Sequence, residues 1–227
     1  MSSPPSKGFL VRPRSPRSLA CPMLLLGALV VAGNVAYGQF IRTYGLKGGV
    51  AAATQHWSFM GEFTLDAGTR WGVDAGLFME FFEHPNLSVL LEARYVQKGF
   101  SEDFALTSAE DPESFGTATF TPRVDYIVIP LVAKARIPLD GFSPYVFAGP
   151  TLSLLLGYEG AEFEEVYKDL KPTEFGGSFG LGCEIPAWGE SAILIEGSYS
   201  PSISDAYANE FLTITNSAFE ILIGIAF

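Results

Sequence analysis

Histidine and cysteine are almost missing from this sequence, with two of each in 227 residues. Cys21 lies in an apolar N-terminal run and only Cys183 lies beyond it, so the body of the chain has no pair from which to close an internal disulfide. With His56 and His84 as the only imidazoles, histidine metal centres and histidine-based nucleophilic chemistry have little to work with. Basic residues are also scarce, 14 Lys and Arg against 25 Asp and Glu. No basic stripe is available to track a phosphodiester backbone, so nucleic acid is excluded as a partner. Beyond residue 38 no segment is long and apolar enough for a membrane helix.

What the N-terminus does have is an export pattern. Lys7, Arg12, Arg14 and Arg17 precede the apolar run Leu19 to Ala32, and Ala36-Tyr37-Gly38 supplies small residues before Gln39. Residues 1–38 are read as a signal peptide and residues 39–227 as one domain. Cys21 precedes most of the apolar run, which argues against lipidation. Removing the leader takes four basic residues and no acidic ones, leaving a formal net charge of −15.

The body of the chain alternates. Period-two segments fall at about 42–53, 70–82, 88–99, 123–137, 143–156, 175–185, 191–200 and 216–227, each long enough to cross a bilayer tilted. Short connections rich in Pro, Asn, Asp and Gly, at 83–87, 138–142 and 186–190, alternate with longer ones at 54–69, 100–122, 157–174 and 201–215. Short periplasmic turns and long outer loops are the asymmetry of an outer-membrane barrel. The expected fold is all-β, an eight-stranded antiparallel up-and-down transmembrane β-barrel in the cell outer membrane. The final strand carries the strongest signal. Phe219, Ile221, Ile223, Ile225 and Phe227 share one face, with Ala218, Glu220, Leu222, Gly224 and Ala226 on the other. A terminal Phe227 is the expected assembly signal for the barrel-insertion machinery.

Parity also sorts the charges. Asp74, Gly76, Phe78 and Glu80 oppose Val73, Ala75, Leu77, Met79 and Phe81; Glu92, Arg94 and Lys98 oppose Val89, Leu91, Ala93 and Tyr95. Tyr126, Val128, Pro130, Lys134 and Arg136 oppose Ile127, Ile129, Leu131, Ala133 and Ala135, and Glu196 and Ser198 oppose Ile193, Ile195 and Tyr199. In a membrane barrel the charged face is the lumen. Glu80, Glu92, Arg94, Lys98, Lys134, Arg136, Glu196 and Glu220 are therefore expected to form an ion-paired lumen network. Tyr44, Phe82, Tyr95, Tyr126, Trp188 and Tyr199, near strand ends, are expected at the membrane interfaces.

Several motifs occur in order: Gly45-Leu46-Lys47-Gly48-Gly49-Val50, Gly76-Leu77-Phe78-Met79-Glu80-Phe81, Leu91 to Gly99, Tyr126-Ile127-Val128-Ile129-Pro130-Leu131 and Tyr145-Val146-Phe147-Ala148-Gly149-Pro150. Together they resemble the PorT-like outer-membrane β-barrel family of Bacteroidetes-type bacteria, across essentially the whole mature chain. The resemblance implies an eight-stranded barrel, usually of unknown function, whose founding member is tied to protein secretion. Where that family commonly has acidic residues, this chain has Val128 and Phe147. A lumen without those carboxylates is expected to be plugged and partly dry.

The first functional expectation is a non-catalytic barrel with a structural or interaction role in the cell envelope, extending to protein secretion or surface assembly. Its partners would be outer-membrane lipid, lipopolysaccharide, the barrel-insertion machinery and an envelope protein. A small pore or transporter is the alternative, although side chains fill so small a bore. A lipid-modifying enzyme would depend on His56 with Ser58 and Glu62, which match no recognisable motif; His84 reads as a turn residue. No cofactor and no fixed metal site are expected. Glu102, Asp103, Glu110, Asp111, Glu113, Glu159, Glu162, Glu164, Glu165 and Asp169 read as solvated acidic loops, with cation bridging to lipopolysaccharide as the other reading.

Overall fold

In a computed structural model the described residues are 40–59, 63–82, 84–106, 116–160, 164–208 and 211–227. Residues 1–38, expected to be a leader, and Glu62, Glu110, Asp111, Glu113 and Glu162 lie outside them. The elements in chain order are β1 (Ile41–Phe59), β2 (Phe63–Asp66), β3 (Arg70–Phe81), β4 (Leu87–Gly99), β5 (Glu102–Leu106) and β6 (Gly116–Phe120). They continue with β7 (Arg123–Arg136), β8 (Ser143–Glu159), α1 (Glu164–Tyr167), β9 (Thr173–Pro186), β10 (Ala192–Pro201), β11 (Tyr207–Ala208) and β12 (Leu212–Ala226).

The eight long strands pair antiparallel in the order β1, β3, β4, β7, β8, β9, β10 and β12, and β12 pairs back onto β1. The closing register runs from Gly45↔Ala226 to Phe59↔Leu212. Tyr44 and Phe227 extend it by exchanging backbone hydrogen bonds, 2.8 Å from the Phe227 N–H and 3.3 Å from the Tyr44 N–H. Closure leaves no open edge, which a strand needs if it is to sit in hydrocarbon. No helix among the described residues is long and apolar enough to cross a membrane.

Three of the long connections are more ordered than the alternation predicts. Strand β1 continues to Phe59 and pairs antiparallel with β2, His56↔Asp66 through Phe59↔Phe63, so much of the described part of 54–69 is strand. β5 and β6 form a separate two-stranded sheet within 100–122. The connection after β8 contains α1 and turns inward, burying Tyr167 and Leu170. The reason is shared: each connection carries apolar side chains that the barrel mouth can cover, which parity within the spanning strands does not register.

Burial follows strand parity. Leu46, Val50, Val73, Val146, Leu181, Ile221 and Ile223 are exposed on the outside, whereas Lys47, Asp74, Arg94, Glu196, Glu220 and Leu222 are buried inside. An exposed apolar surface of this extent suits lipid and not water. Small inward residues make room for large ones. A Cβ on Gly45 would lie 2.6 Å from the Phe78 ring, one on Gly180 2.7 Å from Phe147, and one on Gly182 2.5 Å from Tyr145. Large side chains from one strand thus occupy gaps left by the next, filling a bore of this size.

Two apolar clusters pack within the interior. Phe78, Leu90, Val132, Tyr145, Phe147 and Leu194 gather toward the short turns. Trp57, Phe100, Val124, Val128, Tyr167, Leu170 and Ile214 belong to the cluster at the opposite mouth. One part of the wall is less continuously paired than the rest. The β4–β7 ladder skips from Leu91↔Leu131 to Arg94↔Val128, and the β7–β8 ladder skips from Pro130↔Thr151 to Ala133↔Ala148. Pro130 and Pro150 lack the N–H that each seam requires there.

Two outcomes test this architecture. Limited proteolysis of the folded protein in detergent should cut within 100–122 well before 164–172, because buried Tyr167 and Leu170 anchor the latter; equal rates would show that α1 is not packed in the mouth. Ile223→Arg, on the lipid face, should cost roughly 2–4 kcal/mol, measured as the urea dependence of heat-modifiable gel migration. Leu222→Arg should carry the smaller electrostatic cost, since its side chain enters a lumen that already holds Glu220.

Candidate functional site in the barrel lumen

A charge on a spanning strand has two places to go, and lipid is the costlier one. Inward parity therefore gathers the charges of distant segments. Toward the short-turn end, Glu80 receives Arg42 at 2.5 Å and Lys134 at 3.1 Å and pairs closely with Arg136. Glu184 pairs with Lys134 and lies 3.4 Å from Arg136. Arg136 also donates to the Ser88 hydroxyl at 3.0 Å.

Further along the bore, Lys47 bridges Glu92 at 2.6 Å and Glu196 at 2.7 Å. The Tyr145 hydroxyl donates to Glu196 at 2.6 Å, and the Lys134 ammonium sits 3.9 Å from the Tyr145 ring centre. Arg94 holds Asp74 at 2.6 Å, Glu220 at 3.0 Å and Glu92 at 3.1 Å. Ser198 and Ser200 donate to the same Glu220 oxygen at 2.8 and 3.2 Å.

Above these ion pairs the lumen changes to neutral donors. Tyr126 donates to Glu174, as do Asn216 at 2.8 Å and Ser202 at 2.8 Å. Gln55 donates to Asn216 at 3.0 Å, and its carbonyl accepts from Trp57 and Tyr167, both at 3.3 Å. Burial raises the Tyr167 phenol well above its usual range, with Gln55 and Arg70 opposing weakly. It therefore stays a neutral donor where the polar stack meets the apolar cap.

The eight residues expected in the network are all buried. Seven enter ion pairs, and Lys98 instead places its ammonium 5.0 Å from the Tyr126 ring centre. Parity reasoning passed over Lys47, Asp74, Glu174, Glu184 and Arg42. Lys47 is readable, being with Arg42 one of two Lys or Arg residues in the apolar β1 segment; Asp74 lies on the inner face that alternation predicts but outside the expected network. Glu174 falls one residue before the expected strand, and Arg42 reaches Glu80 from a register shift between Ile41 and Thr43. Tyr126 is corrected from interface to lumen: it is fully buried, because its parity follows Val128 and not its nearness to a strand end. Val128 and Phe147 do point inward and join the two apolar clusters.

Buried charges number five cations and six carboxylates among the described residues. That near balance makes the interior tolerable, since an unmatched charge in a narrow low-dielectric bore is strongly unfavourable. The arrangement can fix strand register and block passage. His56 lies on β1 with its Nε2 3.5 Å from the Ser217 hydroxyl, and Glu62 is outside the described residues. His84 accepts the Asn86 and Leu87 backbone N–H groups, each at 3.2 Å, which fixes the turn after β3. Among the described residues no His, Cys, Asp and Glu side chains group as a metal site.

Residues 41–208 match the model of a family described as outer membrane protein beta-barrel domain. No curated protein matches the chain. Among solved structures it is similar to the outer membrane protein OprG of Pseudomonas aeruginosa, with 13% identity over 84% of this chain and 98% of that one and a TM-score of 0.49. It is also similar to Neisserial surface protein A, 11% identical over 81% and 95% with a TM-score of 0.44. The outer membrane protease OmpT of Escherichia coli is 10% identical over 83% and 96%, with a TM-score of 0.41. At these scores the likenesses carry no argument about activity.

Arg94→Leu tests the network. It leaves Asp74, Glu92 and Glu220 facing one another and should destabilise the barrel by about 3–5 kcal/mol, the usual result of removing one partner from a buried pair. Arg94→Leu combined with Glu220→Leu should recover part of that loss in urea titrations; additive losses would mean that the two side chains do not interact.

Proposed function

The chain belongs to the outer membrane protein beta-barrel domain family, and from that premise we propose that it is a closed, non-catalytic scaffold in the outer membrane. The observation that carries this reading is the filled bore. Ion pairs from Glu80 to Glu220 occupy it and the cluster around Trp57, Tyr167 and Leu170 covers one mouth, so the working surfaces are the connections, the turns and the lipid-facing wall.

In this reading residues 1–38 are removed on export, the insertion machinery reads the terminal strand with Phe227, and the long connections face outward to meet a protein partner in the envelope. Kinship with PorT-like barrels, and with it a link to protein secretion or surface assembly, is part of the proposal. Its support is the ordered set of motifs, including Ile129-Pro130 and Ala148-Gly149-Pro150. Because Val128 and Phe147 replace acids with apolar bulk, the role falls to the surfaces and not to a carboxylate in the lumen.

Planar bilayers containing the purified protein should remain electrically silent, and large, stable conductance steps would overturn the scaffold reading in favour of a pore. Photo-crosslinkers placed in 100–122 and in the turn at 138–142, followed by mass spectrometry from intact cells, should capture one envelope protein reproducibly from one of the two ends. Capture of lipid alone at both ends would remove the protein-partner element.

A further inference from the structure

Four arginines of the described barrel hold carboxylates: Arg42 on Glu80, Arg94 on Asp74, Arg123 on Glu159 and Arg136 on Glu80. Arg70 is different. It opens β3, and its Nη1 is buried with no hydrogen-bond partner among the described residues. It borders a cavity of about 280 Å³ at the rim of the long-connection end, lined also by Thr119, Thr121, Pro122, Arg123, Glu159 and Gly160. Two guanidinium groups therefore share one small polar space in a strongly acidic chain.

The charges around Arg70 come from several elements. Arg123 repels it, while Asp125 and Glu159 act in the opposite sense, and the Tyr95 phenol is within electrostatic reach. Arg123 is committed to Asp125 at 3.1 Å and to Glu159 at 2.9 Å, and these acids do not pair with Arg70. The Glu159 side chain is 70% exposed, so its hold on Arg123 is weak and readily exchanged for a stronger anion. The Thr119 hydroxyl already donates to Asp103 at 2.5 Å. The buried Nη1 of Arg70 is left without an acceptor among the described residues.

A phosphoryl group supplies several acceptor oxygens in the geometry a guanidinium fork matches. Height in the wall says where such a group comes from. Trp71, the next residue, is 67% exposed on the outer face, and exposed aromatic rings of this kind mark the headgroup level of a membrane barrel. We propose that Arg70 and Arg123 form a binding site for the phosphoryl group of a membrane-lipid headgroup, with Arg70 as the principal donor and Arg123 joining as Glu159 is displaced. This rests on the membrane location and not on the scaffold reading, so neither conductance nor a missing protein partner bears on it.

Native mass spectrometry of the folded mature protein in detergent micelles tests the site, using phosphatidic acid and the diacylglycerol with the same chains. The protein should retain phosphatidic acid in preference, and Arg70→Gln should weaken that retention by about tenfold, as expected on losing a charge-assisted bidentate contact, with diacylglycerol unaffected. Glu159→Gln should hold phosphatidic acid as well or better. Heat-modifiable migration checks folding of each variant; if Arg70→Gln does not fold, Arg70→Lys, which keeps the charge and loses the fork, should still bind measurably less. Equal retention of the two lipids, or unchanged retention in a folded Arg70 variant, overturns the proposal. Displacement of phosphatidic acid by inorganic phosphate at equal concentration would assign the cavity to free phosphate and overturn the lipid source.

Discussion

Pairing of β12 with β1 is the constraint on which the rest of this structure depends. An open sheet would carry unpaired backbone groups into hydrocarbon, where nothing else can satisfy them. Closing the ring from Gly45↔Ala226 to Phe59↔Leu212 removes that cost, but it also fixes a narrow bore that side chains must fill. The interior then has to satisfy two demands together: volumes must interlock, as Gly180 and Gly182 do with Phe147 and Tyr145, and charges must balance. The salt bridges follow from the closure.

That order of causes explains the division of labour inside. Buried ion pairs are poor sources of net stability, since desolvation offsets much of their attraction. Their value here is positional. Lys47 from β1 meets Glu92 from β4 and Glu196 from β10, and Arg94 from β4 meets Glu220 from β12. These contacts span the bore between strands that are not neighbours in the ring, so a slipped register would strand several charges at once. Val128 and Phe147, in contrast, add apolar volume next to the ionic layers and keep water from competing with them.

Much of the fold was legible because spanning strands obey a strict rule. Two residues per period and a hydrocarbon solvent leave each side chain one of two faces, and Glu92, Lys134 and Ile223 fell where that rule sends them. The rule stops at the membrane boundary. Tyr167 and Leu170 are buried by a connection folding over a mouth, Glu174 became a lumen residue because β9 begins at Thr173, and Arg42 reaches Glu80 through a register shift. None of these leaves a period-two trace. The Arg70 cavity is of the same kind: it assembles the starts of β3 and β7 with the end of β8, positions that sequence spacing does not relate.

The missing rungs beside Pro130 and Pro150 give the barrel a mechanical grain. A hoop under uniform squeeze keeps its circular section only if all its joints are equally stiff. Here two adjacent joints, on either side of β7, are softer than the continuous ladder between β1 and β12. Lateral pressure from the surrounding bilayer will therefore flatten the section preferentially along the β4–β7–β8 wall. Ala133, Ala135 and Ala148 are exposed on the outer surface of that wall beside Leu131 and Val146, so lipid meets small and bulky side chains together along the more compliant part of the circumference.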